Sequence, residues 1–308
     1  MTSPIINRGK TAEDLIRAHL EAEARKSKGS AGSGAGTGAD AGSGAGTPPA
    51  TPLLVSTAGD YLKLENIVCT DADGKVFESY SELYLAKDII RNQQGGPVNF
   101  TPYHASVYYE QNGLFLPSFA LTSNILAALF QKAVQKQSDG TYITLDAEVK
   151  KVLDQYKDHG SGYGYHAQNT IIDFGAENVI HYPSARDYSQ AVAVNASQPR
   201  TALSFSKTAL QDSLLEQALA NPASVCYVTQ LTGLRHPSIL VEIGNYFGKP
   251  ARLWFSWSGQ KSTTDTSKRA AWLGCDNVDY FNLNSISILD DTDAARGVRR
   301  GAPAGRTP

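Results

Sequence analysis

The sequence predicts an α+β fold, and three observations carry that prediction. Hydrophobic residues make up 41% of the 308 positions and charged residues 19%, enough to build a core over most of the length. Segments with apolar residues at every second position mix with segments at helical spacing. Their order lacks the regular strand–helix–strand alternation of a parallel α/β sheet.

Residues 1–27 form an N-terminal arm whose stretch TAEDLIRAHLEAEARK reads as a short charged helix. Glu13 and Asp14 sit in its first turn and Arg25 and Lys26 in its last, as the helix dipole favours. Residues 28–53 are mostly Gly, Ala, Ser and Thr, stiffening toward Pro48-Pro49, with almost nothing to bury. Such a composition does not offset the entropy of ordering a backbone, so a disordered linker is expected.

Residues 54–200 are expected to form an α+β region of unassigned role. Leu62 to Thr70 alternates and ends on Asp-Ala-Asp-Gly, a strand leading into a hairpin. Ser79 to Gln93 has helical spacing at Leu83, Ala86, Ile89 and Ile90, and Ala105 to Tyr109 reads as a strand. Leu121 to Lys136 is the clearest helix, starting at Thr122 or Ser123, and Asp146 to Tyr156 is another. Two strands, NTIIDFG and NVIHYP, flank the turn Gly175-Ala176-Glu177. Beyond residue 200, Thr208 to Ala220 reads as a helix ended by Asn221-Pro222. Ser238 to Phe247 reads as a short helix and Arg252 to Trp257 as a strand. Residues 302–308 read as a disordered tail.

A net charge of −2 and a pI near 6.3 argue against nucleic acid as a partner. Arg296, Arg299, Arg300 and Arg306 read as a short, solvated basic end. Cys69, Cys226 and Cys275 are widely spaced and contain no Cys-x-x-Cys pair, so semi-buried thiols are expected and no zinc or redox site. MTSPIINRGK lacks the apolar core of a signal peptide, and no stretch has the length of a membrane span. The expected compartment is therefore the cytoplasm by default, with a virion or a cell surface as alternatives.

Four histidines, His104, His159, His166 and His181, fall within one stretch, but none has the spacing of a helical metal motif. The segment HGSGYGYHAQNTIIDFGAENVIHYP resembles the His-bearing hairpin of NlpC/P60-type cysteine peptidases. That resemblance implies a papain-like hydrolase with His166 as base and a nucleophile at the head of the helix holding Thr122 and Ser123. The Cys such enzymes use is absent, and a hydroxyl needs far stronger activation than a thiolate.

The stretch from Asp276 to Asp293 contains no Lys, Glu, Gln, Met or Trp. None of those five has a codon ending in a pyrimidine, whereas every residue in the stretch does. The segment resembles the variable region of diversity-generating retroelement target proteins, in which adenines of a template repeat are randomised. Gly297-Val298-Arg299 resembles the closing Gly-Val-Arg or Gly-Phe-Arg motif of that family. Arg269-Ala270-Ala271-Trp272 resembles its upstream framework. The resemblance implies a formylglycine-enzyme-type C-type-lectin-like fold over 201–301 and a variable ligand-binding surface.

On that basis Asp276, Asn277, Asp279, Tyr280, Asn282, Asn284, Ser285, Ser287, Asp290 and Asp291 are expected on an exposed ligand-binding face. Tyr, Ser and Asn suit such a face, because Tyr offers large area at low entropy cost and small polar residues adapt. Phe281, Leu283, Ile286 and Ile288 are expected to be buried. Trp254, Trp257 and Trp272 read as core or as a sugar-stacking platform. Asp290-Asp291-x-Asp293 lacks the Gly and Glu of a calcium loop, so no metal and no cofactor are expected. The reading is a diversified binder of a protein or glycan ligand, with no catalytic residues. A hydrolase of the papain-like class, or a phage or cell-surface structural protein, stands as the alternative. Composition sets no oligomeric state.

Overall fold

A computed structural model describes residues 54–92, 96–157, 165–183, 201–207, 210–254, 268–275, 279–287, 292 and 294–301. The N-terminal arm, the linker to residue 53 and the tail at 302–308 lie outside the described residues. The described chain is a mixed helix–strand protein.

Three antiparallel strands begin it: β1 (Leu54–Ala58), β2 (Tyr61–Thr70) and β3 (Val76–Ala86). The β2–β3 turn follows from its sequence. Asp71 Oδ1 accepts from the Asp73 and Lys75 amides at 3.0 and 2.8 Å, and Gly74 takes φ +79°. Within β2 the buried positions shift from Leu62 and Leu64 to Ile67 and Cys69. The shift occurs at Asn66, which adopts φ +60°.

The helix expected over 79–93 is instead, as far as residue 92, β3 and the loop after it. Leu83 and Leu85 alternate inward, and Val76, Phe77, Tyr80 and Tyr84 suit a half-buried pleated surface. The strand expected at 105–109 is instead helical, within α1 (Pro102–Gln111). Thr101 Oγ1 accepts from the His104 amide at 3.2 Å and Pro102 opens the first turn. Ala105, Tyr108 and Tyr109 then fall on one buried face.

α2 (Phe119–Ala133) is the central helix, with its apolar residues buried on nearly every side. It starts earlier than Thr122 or Ser123. Ser118 is its cap, accepting from the Leu121 amide at 3.0 Å. A small hairpin, β4 (Val134–Lys136) and β5 (Tyr142–Thr144), leads to α3 (Ala147–Asp154). Asp146 caps α3, accepting from the Glu148 and Val149 amides at 3.1 Å. β6 (Tyr165–Asp173) and β7 (Asn178–His181) form the expected hairpin, and β8 (Thr201–Ser204) pairs with β7.

The helix expected over 208–220 is mostly absent from the described residues. Ser213–Leu214 is the short strand β9, and only α4 (Leu215–Leu219) is helical. Asn221-Pro222 begins a further helix, α5 (Pro222–Thr232), which sequence reasoning misses. Asn221 Oδ1 accepts from the Ala223 amide at 3.0 Å, and Pro222 stands where a missing N–H costs nothing. α6 (Ile239–Phe247) precedes β10 (Ala251–Trp254), β11 (Lys268–Cys275), β12 (Phe281–Ser287) and β13 (Val298–Arg300).

The larger sheet runs β8-β7-β6-β11-β12-β10-β9, with β10 and β12 parallel and every other neighbouring pair antiparallel. The smaller runs β1-β2-β3-β13. Both sheets therefore join strands from 54–200 with strands from 201–301. α2 packs against strands of both sheets and against α3, α5 and α6. Leu62, Leu64, Leu83 and Val298 from one sheet and Leu253, Leu273, Phe281 and Leu283 from the other share its apolar cluster. A second cluster lies under α1, where Tyr108, Tyr109 and Leu114 meet Ala167, Ala270 and Trp272.

The basic end is not solvated throughout. Arg296 is 2% exposed, and β13 carries Arg299 to 4.9 and 4.8 Å from the Tyr61 and Tyr84 ring centroids. No helix among the described residues is long and apolar enough to cross a membrane.

Candidate functional site

The strand β12 lies inside the larger sheet, between β11 and β10. Alternation sends Phe281, Leu283 and Ser285 to the core side. There Phe281 packs edge-on to Phe247, and Ser285 Oγ shares a 2.7 Å hydrogen bond with the Tyr227 hydroxyl. Asn282 and Asn284 take the opposite face.

Register places that face in rows. Trp254 on β10, Asn284 on β12 and Trp272 on β11 lie side by side, and Ala167 on β6 follows. Arg252, Asn282 and Gly274 form the next row. Trp272 is 3% exposed, within the cluster under α1, so it is core. Trp254 is half-buried. Trp257 lies outside the described residues.

Arg252 organises the margin of this face. Its Nε and Nη2 donate to both carboxylate oxygens of Asp212 at 2.7 and 2.5 Å, a side-on fork. Its guanidinium carbon lies 5.2 Å from the Trp254 ring centroid and 5.0 Å from that of Tyr280. Asp212 and the two rings thus hold a planar cation in one orientation. Such a group presents charge and flat area without having to be ordered on binding. Sequence reasoning does not select Arg252 or Asp212, because their pairing spans forty residues of intervening chain.

The ten positions expected on an exposed face divide sharply. Asp279 is exposed and Tyr280 half-buried. Asn282, Asn284 and Ser285 are 0%, 6% and 0% exposed, which corrects the expectation of exposure for those three. Asn282 and Asn284 lie on an interior strand, flanked in register by Gly274 and Trp272 on β11 and by Arg252 and Trp254 on β10. Ser285 is enclosed because it faces α5. Asp276, Asn277, Asp290 and Asp291 lie outside the described residues, as does Ile288. Ser287 closes β12 opposite Ala270.

The hydrolase residues do not assemble. His166 is 1% exposed, and neither ring nitrogen has a hydrogen-bond partner. Thr122 Oγ1 donates to Gln168 Oε1 at 2.5 Å instead. His181 is committed elsewhere. Its Nδ1 meets Thr170 Oγ1 and its Nε2 meets the Gln230 carbonyl, each at 2.9 Å. Burial lowers its pKa to about 4, which fixes the neutral ring. Among the described residues no three His, Cys, Asp or Glu side chains converge as a metal would require.

No protein-family model matches the chain, and no curated protein or solved structure matches it.

Proposed function

We propose that this protein is a binding protein of the diversity-generating retroelement type, with a C-type-lectin-like C-terminal region and a protein or glycan ligand. The observation that carries the reading is the parity of β12. It puts Tyr280, Asn282 and Asn284 on one sheet face beside Arg252 and Trp254. Asp279, Tyr280, Arg252 and Trp254 form the accessible margin of that face, and Asn282 and Asn284 its enclosed floor.

The motif residues behave as a framework would. Ala270 and Ala271 are fully buried beside Trp272. Gly297 is pressed against Tyr109, and Val298 is paired on both sides, with Leu85 and with Phe115. Randomising such positions would damage packing, whereas Asp279 and Tyr280 can vary.

The test is the coding DNA. A second, imperfect copy of the stretch encoding 271–299 should lie near the gene, beside a reverse-transcriptase gene. Differences between the copies should fall at adenines of the second copy, aligned with the codons for Asp279, Tyr280 and their neighbours. A complete locus without such a copy, or with differences scattered regardless of base, would overturn the diversification reading.

A further inference from the structure

The hairpin of β4 and β5 turns one side to the body of the protein and the other outward. Tyr142 packs edge-on against Phe130 and Tyr246, with ring centroids 6.0 and 5.1 Å apart. Alternation sends Ile143 the other way, opposite Gln135. The ladder runs one step further, because the Leu145 amide donates to the Ala133 carbonyl at 2.8 Å. Leu145 therefore shares the outer side with Ile143. Ile143 is 45% and Leu145 54% exposed, the two most exposed large apolar side chains among the described residues.

This patch stands close to where the N-terminal segment enters the fold. Asp146, next to Leu145, caps α3, and Glu148 in the first turn of α3 accepts from Lys87 Nζ at 2.9 Å. The Lys87 amide donates to the Asp60 carbonyl at 3.0 Å, in the turn that follows β1. Leu54 opens β1, about 15–20 Å from that turn. Residues 1–53 precede it. A Gly-rich chain of the length of 28–53 has a root-mean-square reach of roughly 25–30 Å. That tether lets residues 11–26 reach the patch.

The arm's sequence supplies the complementary surface. At helical spacing Leu15, Ile16 and Leu20 make one thin apolar stripe in an otherwise charged segment. A helix of that length is marginal alone in water and draws its stability from covering such a stripe. We propose that residues 11–26 dock as a helix on Ile143 and Leu145 of the same chain. A second copy is the weaker occupant, because two side chains are a small part of the ~800 Å² that each partner buries in a stable complex. The tether removes that requirement, since a short flexible linker holds the arm at an effective concentration on the order of 1 mM. The contact uses none of the residues on the sheet face assigned to ligand binding.

Amide hydrogen exchange of the full chain, read by mass spectrometry, tests this. Peptides covering 11–26 should exchange about tenfold or more slowly than an unstructured chain of that sequence, and dilution of the protein should not change the rate. Ile143→Ser combined with Leu145→Ser should bring 11–26 to the unstructured rate. The same variant should leave β2 and α2 protected, because both replaced side chains are half exposed. Leu15→Ser combined with Leu20→Ser should release the arm equally without altering any described residue. Unstructured exchange of 11–26 in the wild type, or protection that survives Ile143→Ser with Leu145→Ser, would overturn the proposal. Protection that falls on dilution would give the patch to the arm of a second copy and overturn it as well.

Discussion

Gly297 lies against the ring of Tyr109 so closely that a Cβ at position 297 would stand 2.5 Å from Cδ1 and Cε1. The ring cannot simply retreat. It is 1% exposed, and its hydroxyl donates to the Ala295 carbonyl at 2.7 Å. Gly297→Ala should therefore destabilise the fold by about 1–3 kcal/mol, as overpacking does. Urea midpoints read this directly. The cost should largely vanish in a Tyr109→Ala background, and additivity of the two changes would rule out the steric cause.

The stretch around β12 should tolerate change unevenly. Replacing Asp279 with Ser should move stability by no more than about 0.5 kcal/mol, and Tyr280→Ser, which takes one ring from the Arg252 guanidinium, by about 0.5–1 kcal/mol. Ser285→Ala removes the hydrogen bond shared with the buried Tyr227 hydroxyl and should cost about 0.5–1.5 kcal/mol. Thermal unfolding of the single variants checks both. Equal tolerance at 279 and 285 would contradict the division into margin and core.

Acid should loosen the protein before most carboxylates titrate. Burial holds the folded pKa of His181 at about 4 and that of His166 well below 6.5. Below about 6.5 the unfolded chain therefore binds protons that the folded chain does not, so this stability is full above 6.5. It is lost as pH falls towards 4. His181 alone accounts for about 2 kcal/mol of the loss by pH ~5. Glu78 acts in the opposite sense, because burial raises its pKa against the hydrogen bonds from Tyr80 and Ser118. Urea midpoints at about pH 7 and about pH 5 should fall with acid, and His181→Gln should flatten the fall. A rise in stability on acidification would contradict the assignment.

Ligand recognition should depend on the fixed residues beside the variable ones. A peptide or glycan selected on the wild-type chain from a displayed library or a glycan array serves as the probe. Trp254→Ala should weaken its binding by about tenfold or more, within the range for a central aromatic anchor. Lys63→Ala, on the other sheet, should leave it unchanged. Indifference to Trp254 would remove this face as the ligand site.

Much of the fold is legible locally. The β6–β7 hairpin, α2, α3 and α6 follow from spacing, capping residues and turn chemistry within each segment. β3 and α1 exchange expected types because tertiary placement outweighs local pattern. Leu83 and Leu85 matter only once α2 covers them, and Tyr108 and Tyr109 only once β6 and β11 lie beneath α1. The site is half legible. Alternation along β12 separates Phe281 and Leu283 from Asn282 and Asn284 correctly. It cannot reveal what lies over the two faces of β12, and three polar residues expected outside are enclosed. Arg296 reads as solvated for the same reason, since its carbonyl, amide and ring partners all lie more than a hundred residues earlier in the chain.

The position of β11 has a consequence for how the chain matures. It is the one strand joining the β8-β7-β6 half of its sheet to the β12-β10-β9 half. A nascent chain that has not yet supplied residues 268–275 also lacks β12, so it holds β8-β7-β6 with the β6 edge open and β10-β9 with the β10 edge open. Pairing across so long a sequence separation is slow, because loop entropy must be overcome before the contacts form. Until then the exposed edges of β6 and β10 invite pairing with other chains. Synthesis of this protein should therefore depend on chaperones, and translation pauses before residue 268 should favour aggregates over native molecules.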